Sequence, residues 1–537
     1  MELSSVLPVT YFLLPEEARH ALRNEPAAAD PAAYLSVLLG FGAKFSLPPW
    51  LADLARIEYA VFLVGQGERP DPAVERLMVS PSLQLLRCDW KNLPAMLRQE
   101  AGTPLIQPTA GQEFVLVYRG PVSGKVLVRS ARDHDLLALK IVAEELDRAQ
   151  AAAAAGVEVG VIDRCLEKAV LQGVLAAPPS RIVRDPRSFP RGRDIDERFF
   201  TAPVFTLQWH ITQTCDLHCR HCYDRSDRNT MPLADGLRIL DEFRDFCLAH
   251  HVKGQISFSG GNPLLYPHFF ELYRGAVKRN MMVAILGNPA SPALIEKIVA
   301  VAVPVFYQVS LEGLPEHNDY IRGAGHFDRV MRFLPLLREH GVYSMVMLTL
   351  TRANMDQVLP LAQVLRDKVD LFTFNRLAMV GEGARLQSAD PTDFQTFLHH
   401  YHAAARQNPT ISLKDNLFNI ICHEHGLPLF GGCAGHGCGA AFNFIAVLPD
   451  GEAHACRKFP SPIGNVLEHG ITDVYYGPQA ARYRAGTGAC AFCAIRPVCG
   501  GCLAVVHGLG LDPFLDRDPY CFMGAEAGSL ACCSGPG

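Results

Sequence analysis

The sequence has no surplus of positive charge, no long apolar run and little cysteine before residue 200. Each absence excludes something. Fifty Lys and Arg against 55 Asp and Glu leave a net charge of -5, so nothing electrostatic draws the chain to nucleic acid or an anionic membrane. No stretch supplies the ~20 apolar residues that a membrane-spanning helix needs. The nearest, MMVAILGNPASPALIEKIVAVAVPVF, is broken by prolines, Asn288, Glu296 and Lys297. The opening MELSSVLPVTYFLLPEEARH has no basic leader and no long apolar core, so it does not read as a secretory signal. A cytoplasmic protein with no membrane partner is expected. At 49% hydrophobic and 20% charged residues the chain is globular, and its 537 residues exceed one ordinary core.

What is present in unusual amount is cysteine, seventeen in all. Extensive disulfides do not suit a reducing compartment, so clusters of cysteine there read as metal or redox sites. Three fall between residues 215 and 222 and ten between 433 and 533. Cys88, Cys165, Cys247 and Cys422 stand apart and read as buried small hydrophobes.

Residues 1–199 read as a mainly helical domain. AAYLSVLLGF and LADLARIEYAVFLV have helical spacing. FVLVYRG and KVLVRS, joined by PVSG, read as a hairpin. DHDLLALKIVAEELDRAQAAAAA predicts one strong helix, and GVEVGVIDRCLEKAVLQGVLAAP a turn and a second. The pair is either a winged-helix or helix-turn-helix unit or a plain helical hairpin. The segment is not basic, which argues against DNA. RIVRDPRSFPRGRDIDERFF reads as a linker.

From residue 203 strands and helices alternate: VFTLQWHI, QISFSGG, MMVAILG, VFYQVSLEG, YSMVMLTLT and LFTFNRL are strands, each pair separated by a helical stretch. Such alternation predicts parallel strands with crossover helices. The fold class is α/β, an open, partial six-stranded TIM-like (β/α)6 barrel with its site at the carboxyl ends of the strands.

The first strand runs into TQTCDLHCRHCYD, with Cys215, Cys219 and Cys222. A structural zinc uses four closed ligands, often in C-x2-C pairs. His218 or His221 could complete a zinc set, but the spacing differs from ordinary zinc motifs. A cubane iron–sulfur cluster held by three thiolates keeps one iron open, and an open position marks a catalytic site. CDLHCRHC after a first strand resembles the signature of the radical S-adenosylmethionine (SAM) superfamily. The resemblance implies a [4Fe-4S] cluster whose open iron is chelated by SAM, reductive cleavage of SAM, and a 5′-deoxyadenosyl radical that takes a hydrogen atom from substrate. It places His221 near the adenine. SFSGGNP resembles the family's Gly-Gly-Glu-Pro motif, so Gly260, Gly261 and Asn262 are expected at the SAM amino group, with Asn262 in place of the glutamate. QVSLEGLPEHNDYIRGAGHFD resembles a further segment, which puts Ser310 at the ribose and Arg322 at the carboxylate, where an Arg fork suits the chemistry. FNRL places Leu377 against the adenine.

Further on come Cys433, Cys438 and Cys456, then CAFCAIRPVCGGC with Cys490, Cys493, Cys499 and Cys502, then Cys521. Zinc knuckles are one reading of such pairs, because thiolates suit both metals. The order resembles the SPASM extension, which carries two auxiliary iron–sulfur clusters. That resemblance assigns Cys433, Cys438, Cys456 and Cys502 to one and Cys490, Cys493, Cys499 and Cys521 to the other. The last gap is two residues where the family has three, so Cys502 departs from the pattern. Cys532 and Cys533 read as tail residues, and His423 and His425 as a polar loop.

The expected domains are thus 1–199, 200–425 for the barrel and 426–537 for the SPASM part. The resemblance implies a maturase that crosslinks or oxidises a ribosomally made precursor peptide or protein, of the selenobiotic-type peptide group, with reduced flavodoxin or ferredoxin as electron donor. The N-terminal domain is a candidate for holding the precursor. The alternatives are a protein oxidase like the anaerobic sulfatase maturases and a non-catalytic iron–sulfur carrier. In the sulfatase maturases an Asp base follows the third auxiliary cysteine; here it is Arg457.

Overall fold

The computed structural model describes residues 3–23, 31–67, 74–98, 106–121, 123–189, 191 and 195–524. Two compact units divide the chain, 1–179 and 180–537. No helix among the described residues is long and apolar enough to cross a membrane.

The first unit holds three antiparallel strands in the order β1 (Gln84–Lys91), β2 (Thr109–Arg119) and β3 (Val126–Ser130). The β2–β3 hairpin is the expected one, in register from Val115 opposite Ser130 to Arg119 opposite Val126. Helix α1 (Leu51–Gln66) lays Leu54, Ala55 and Ile57 into a core with Val115, Val117 and the fully buried Cys88. The single helix expected from Asp133 is two, α2 (Asp133–Ala143) and α3 (Arg148–Ala155). Capping defeats propensity here. Glu145 turns left-handed with φ 51°, and the Asp147 carboxylate accepts from the Gln150 N–H to start a new helix. Helix α4 (Val159–Gln172) follows and ends at a left-handed Gly173. Cys165 on α4 is half-buried rather than fully buried.

The second unit is built on one nine-stranded sheet. Six parallel strands come first: β4 (Val204–Thr212), β5 (Lys253–Gly260), β6 (Met282–Leu286), β7 (Tyr307–Ser310), β8 (Ser344–Leu350) and β9 (Leu371–Arg376). Strand β10 (Phe444–Val447) adds parallel to β4, and β11 (Glu452–His454) and β12 (Pro462–Asn465) continue antiparallel from it. The cysteine-rich region is therefore sheet-bonded to the first barrel strand. The core is aromatic: Phe205, Trp209, Phe258, Tyr307 and Phe374 are essentially inaccessible.

The segment expected as a linker before residue 200 is part of this second unit. Ile182, Phe199, Phe200 and Ala202 are buried. Arg184, 3% exposed, donates from Nη2 to the carbonyls of His436 and Cys438 at 2.6 and 2.7 Å and stacks on Phe442. A run this rich in arginine and aspartate suggests solvent; a buried arginine satisfied by carbonyls from far along the chain reads the same way locally.

Candidate active site

At the carboxyl ends of the six parallel strands lies a cavity of about 440 Å³. Every strand contributes: His210 from β4, Ser259 and Gly260 from β5, Leu286 from β6, Gln308 and Ser310 from β7, Met347 and Thr349 from β8, Asn375 and Arg376 from β9. Cys215, Cys219 and Cys222 line it together.

The loop that carries them is fixed by backbone. Gly261 N–H donates to the Thr212 carbonyl at 2.9 Å and Asn262 N–H to that of Thr214 at 2.8 Å. Gly260, at φ 127°, and Gly261 lie so close that a Cβ on either would run into those carbonyls. That is why this strand end needs two glycines. Both N–H groups are consumed within the fold, and an ammonium, which only donates, would meet carbonyl oxygens of this turn. Around the sulfurs, Asn288 Nδ2 reaches Cys215 at 3.7 Å and Arg322 Nη1 reaches Cys219 at 3.7 Å. Burial raises the Cys215 and Cys219 thiols.

Of the residues expected to meet SAM, the structure brings His221, Gly260, Gly261, Ser310, Arg322 and Leu377 to the cavity wall. Asn262 is not on that wall. Its Nδ2 donates to Asp216 at 3.0 Å and its Oδ1 accepts from the Leu264 N–H at 3.3 Å. Both ends of the amide are used within the fold, so the expected contact with an ammonium is not the one this rotamer makes. Asp216 accepts a second amide, from Asn288 at 2.6 Å.

Glu312 is the residue that sequence reasoning missed. It is 1% exposed and accepts from Arg322 Nε at 2.8 Å, from the Thr349 N–H at 2.7 Å and sits 3.1 Å from His221 Nε2. Burial alone would raise its carboxyl, but His221 and Arg322 hold it well below the usual carboxylate range. The only signal was a glutamate directly after a strand. One consequence is that Arg322 is already ion-paired. Another is that His221 keeps Nδ1 buried without a partner. His221 lines a ligand-sized cavity beside three cysteines, and an unpartnered buried nitrogen on a wall residue fits a bound group with hydrogen-bonding edges.

Eight further cysteines gather as two quartets. Cys433, Cys438, Cys456 and Cys502 border one cavity. Cys490, Cys493, Cys499 and Cys521 border another, of about 320 Å³. All eight thiols are free, so the donor set suits thiolate-ligated clusters. Cys502, whose spacing departs from the family pattern, stands with its quartet. Its N–H donates to Asp518 at 2.9 Å. Asp518 in turn takes both Nη atoms of the buried Arg376, at 2.9 and 2.8 Å, while Arg376 Nε holds Asp415 at 2.7 Å. The end of β9 is thereby tied to the Cys502 turn. Cys532 and Cys533 lie outside the described residues.

The model of the radical SAM superfamily matches residues 209–365, and that of the SPASM iron–sulfur cluster-binding domain matches residues 438–503. The chain carries a radical SAM domain followed by a SPASM domain. These imply a [4Fe-4S] cluster, SAM and auxiliary clusters. Similar curated proteins include the AdoMet-dependent heme synthase of Methanosarcina barkeri, 25% identical over 59% of this chain and 95% of its own length. The mycofactocin maturase MftC of Mycolicibacterium smegmatis is 29% identical over 64% of this chain and 88% of its own. Among solved structures, Streptococcus suis SuiB bound to precursor peptide SuiA aligns with a TM-score of 0.51 and 17% identity, over 76% of this chain and 96% of that one. Residues 180–537 make up two thirds of the chain, so the SuiB match reaches beyond the radical SAM and SPASM domains into the first unit.

Proposed function

We propose that this protein is a radical SAM enzyme that modifies a side chain of a ribosomally made peptide or protein, by crosslinking or oxidation. The single observation that carries the reading is the convergence of Cys215, Cys219 and Cys222 on a ligand-sized cavity at the strand ends. When bound there, a cluster with one open iron and SAM supply one-electron cleavage and a hydrogen-abstracting 5′-deoxyadenosyl radical.

The chain's own residues supply position. The three thiols hold the cluster on a loop pinned by Gly260 and Gly261. His221 and Leu377 flank the adenine, Ser310 the ribose, and Arg322 lies toward the carboxylate while paired with Glu312. Cys433, Cys438, Cys456 and Cys502 hold one auxiliary cluster and Cys490, Cys493, Cys499 and Cys521 the other. Reduced flavodoxin or ferredoxin is the expected donor, and the cytoplasm is the compartment in which free thiols in this number persist.

A peptide substrate is favoured by the relatives named as a maturase and as a complex with a precursor peptide, and by the first unit. Among the described residues strand β3 pairs with β2 alone. Beside it runs a groove of about 600 Å³ lined by Val126, Val128, Val9, Val61 and Phe62. An extended peptide can add to such an edge as a further strand and set apolar side chains in the groove. No comparable feature favours the iron–sulfur carrier reading. Anaerobic reconstitution with iron and sulfide, followed by SAM and dithionite, should yield 5′-deoxyadenosine and methionine in equal amounts. A protein that loads iron and binds SAM but forms neither would turn the reading toward a carrier.

A further inference from the structure

The cations that line the main cavity are unevenly matched. Arg322 has Glu312, and Arg376 has Asp415 and Asp518. Arg225 donates to the Cys219 carbonyl. Arg457 and Lys458 have only neutral acceptors: Arg457 Nη1 reaches Ser259 Oγ at 3.1 Å and Lys458 Nζ the Arg376 carbonyl at 3.2 Å. Among the described residues no carboxylate lies within ion-pair distance of either. The carboxylate that does line the cavity, Asp224, is held by Gln213 Nε2 at 2.8 Å and by Ser226 N–H and Oγ at 2.9 and 2.7 Å.

A second observation lies on the same wall. Ser259 pairs in register with His210. His210 is 1% exposed, shares a hydrogen bond between Nε2 and the Tyr223 hydroxyl at 3.0 Å, and keeps Nδ1 buried with no hydrogen-bond partner. A half-buried arginine without a counter-ion and a histidine with an unsatisfied ring nitrogen line one cavity.

Cations beside Cys456 could serve only to balance thiolate charge. Lys414 and Lys458, which border the Cys433–Cys502 cavity, are placed for that. Arg457 does not border that cavity; it reaches the other way, to the end of β5.

We propose that Arg457 binds a carboxylate of the substrate and so sets which part of the substrate faces Cys215, Cys219 and Cys222. This deepens the peptide reading and rests on it for the substrate being a peptide. The carboxylate is either a peptide C-terminus or an Asp or Glu side chain.

The test uses the full chain, reconstituted and loaded with SAM, and three probes: N-acetylphenylalanine, N-acetylphenylalanine amide and N-acetylglutamic acid α-amide. Binding is read by saturation-transfer NMR and calorimetry. At least one acid should bind ten-fold or more tighter than the neutral amide. Whichever acid it is identifies a terminal or a side-chain carboxylate. Arg457→Gln should abolish the preference, and Arg457→Lys should keep part of it. Ser259→Ala, which leaves the charge in place, should weaken acid binding to a smaller degree and serves if Arg457→Gln loses iron. Equal binding of acids and amide, binding of none of the three, or an undiminished preference in Arg457→Gln (in Ser259→Ala, if the first variant loses iron) would overturn the proposal. Formation of 5′-deoxyadenosine by the wild-type protein needs none of these probes. Acid binding without SAM cleavage would therefore sink the enzymatic reading alone, and SAM cleavage without acid binding the carboxylate site alone.

Discussion

The Arg322 guanidinium grips Glu312 through Nε at 2.8 Å and Nη2 at 2.6 Å beside Cys219, with Glu312 buried and the arginine partly so. Removing one partner of such a pair leaves the other as an uncompensated buried charge, at a cost of about 3–5 kcal/mol. Arg322→Ala should therefore lose stability as well as SAM affinity, and Glu312→Gln in the same chain should recover part of the stability. Urea unfolding of the single and double variants reads the first effect. Anaerobic calorimetry with SAM on the double variant reads the second, expected at about 1.5–3 kcal/mol for a charged hydrogen bond. A double variant that binds SAM like wild type would remove Arg322 from the SAM site.

Cys215, Cys219 and Cys222 share no cavity with the other eight cysteines. Cys219→Ala should abolish 5′-deoxyadenosine formation and keep about two thirds of the iron, the share of two four-iron clusters out of three. Iron counting and electron paramagnetic resonance on the reconstituted variant decide it. Full SAM cleavage by the variant would show that the radical chemistry starts elsewhere.

Cys502 stands with Cys433, Cys438 and Cys456, and Asp518 fixes its backbone. Cys502→Ala should lose the iron of that one site and leave the signals of the other two. Wild-type iron content in this variant would mean that the quartet is completed by another ligand.

The barrel was legible because strands of a buried parallel sheet read as largely apolar runs, as MMVAILG and YSMVMLTLT do, and because a helical stretch separates each pair. The cysteine quartets were legible by count, though their partition came from resemblance and not from spacing. Strand β1 was missed because QLLRCDWK is mostly exposed along its length and carries little apolar pattern. Glu312 and Arg184 were missed for another reason. Their partners lie 10 to 300 residues away, and a charged residue gives no local sign that the fold will bury it. Asn262 shows the limit of motif transfer: Gly260 and Gly261 line the cavity at the strand ends, while the Asn262 side chain answers to Asp216.

The unit boundary at residue 180 sets where the chain can be cut. A protein beginning at Ser180 should fold, load iron and cleave SAM, yet modify a full-length precursor poorly. One beginning at Ile195 loses Arg184 and its bonds to the His436 and Cys438 carbonyls, so it should be less stable and hold less iron. Thermal melting and iron content separate the two. Equal behaviour would return residues 180–194 to the status of a linker.

His210 gives the chain a pH dependence. Burial first, and Arg457 beside it, push the imidazole down to about 3, against an ordinary value of about 6.5. Between these values the unfolded chain binds a proton that the folded chain refuses, so stability rises with pH. The contribution is fully present above about pH 6.5 and is lost as pH falls, by about 1.4 kcal/mol per unit, or about 2 kcal/mol at pH 5. His210→Gln, which keeps a hydrogen-bonding group near Tyr223, should unfold at a urea midpoint that falls less steeply between pH 7.5 and 5. The comparison is made on chelator-treated protein, so that acid loss of iron does not enter. Parallel pH slopes for wild type and variant would mean that His210 is charged in the folded state or that the substituted amide opens the site to water, and proton uptake followed by NMR of the wild-type imidazole distinguishes these by the chemical shift at pH 5.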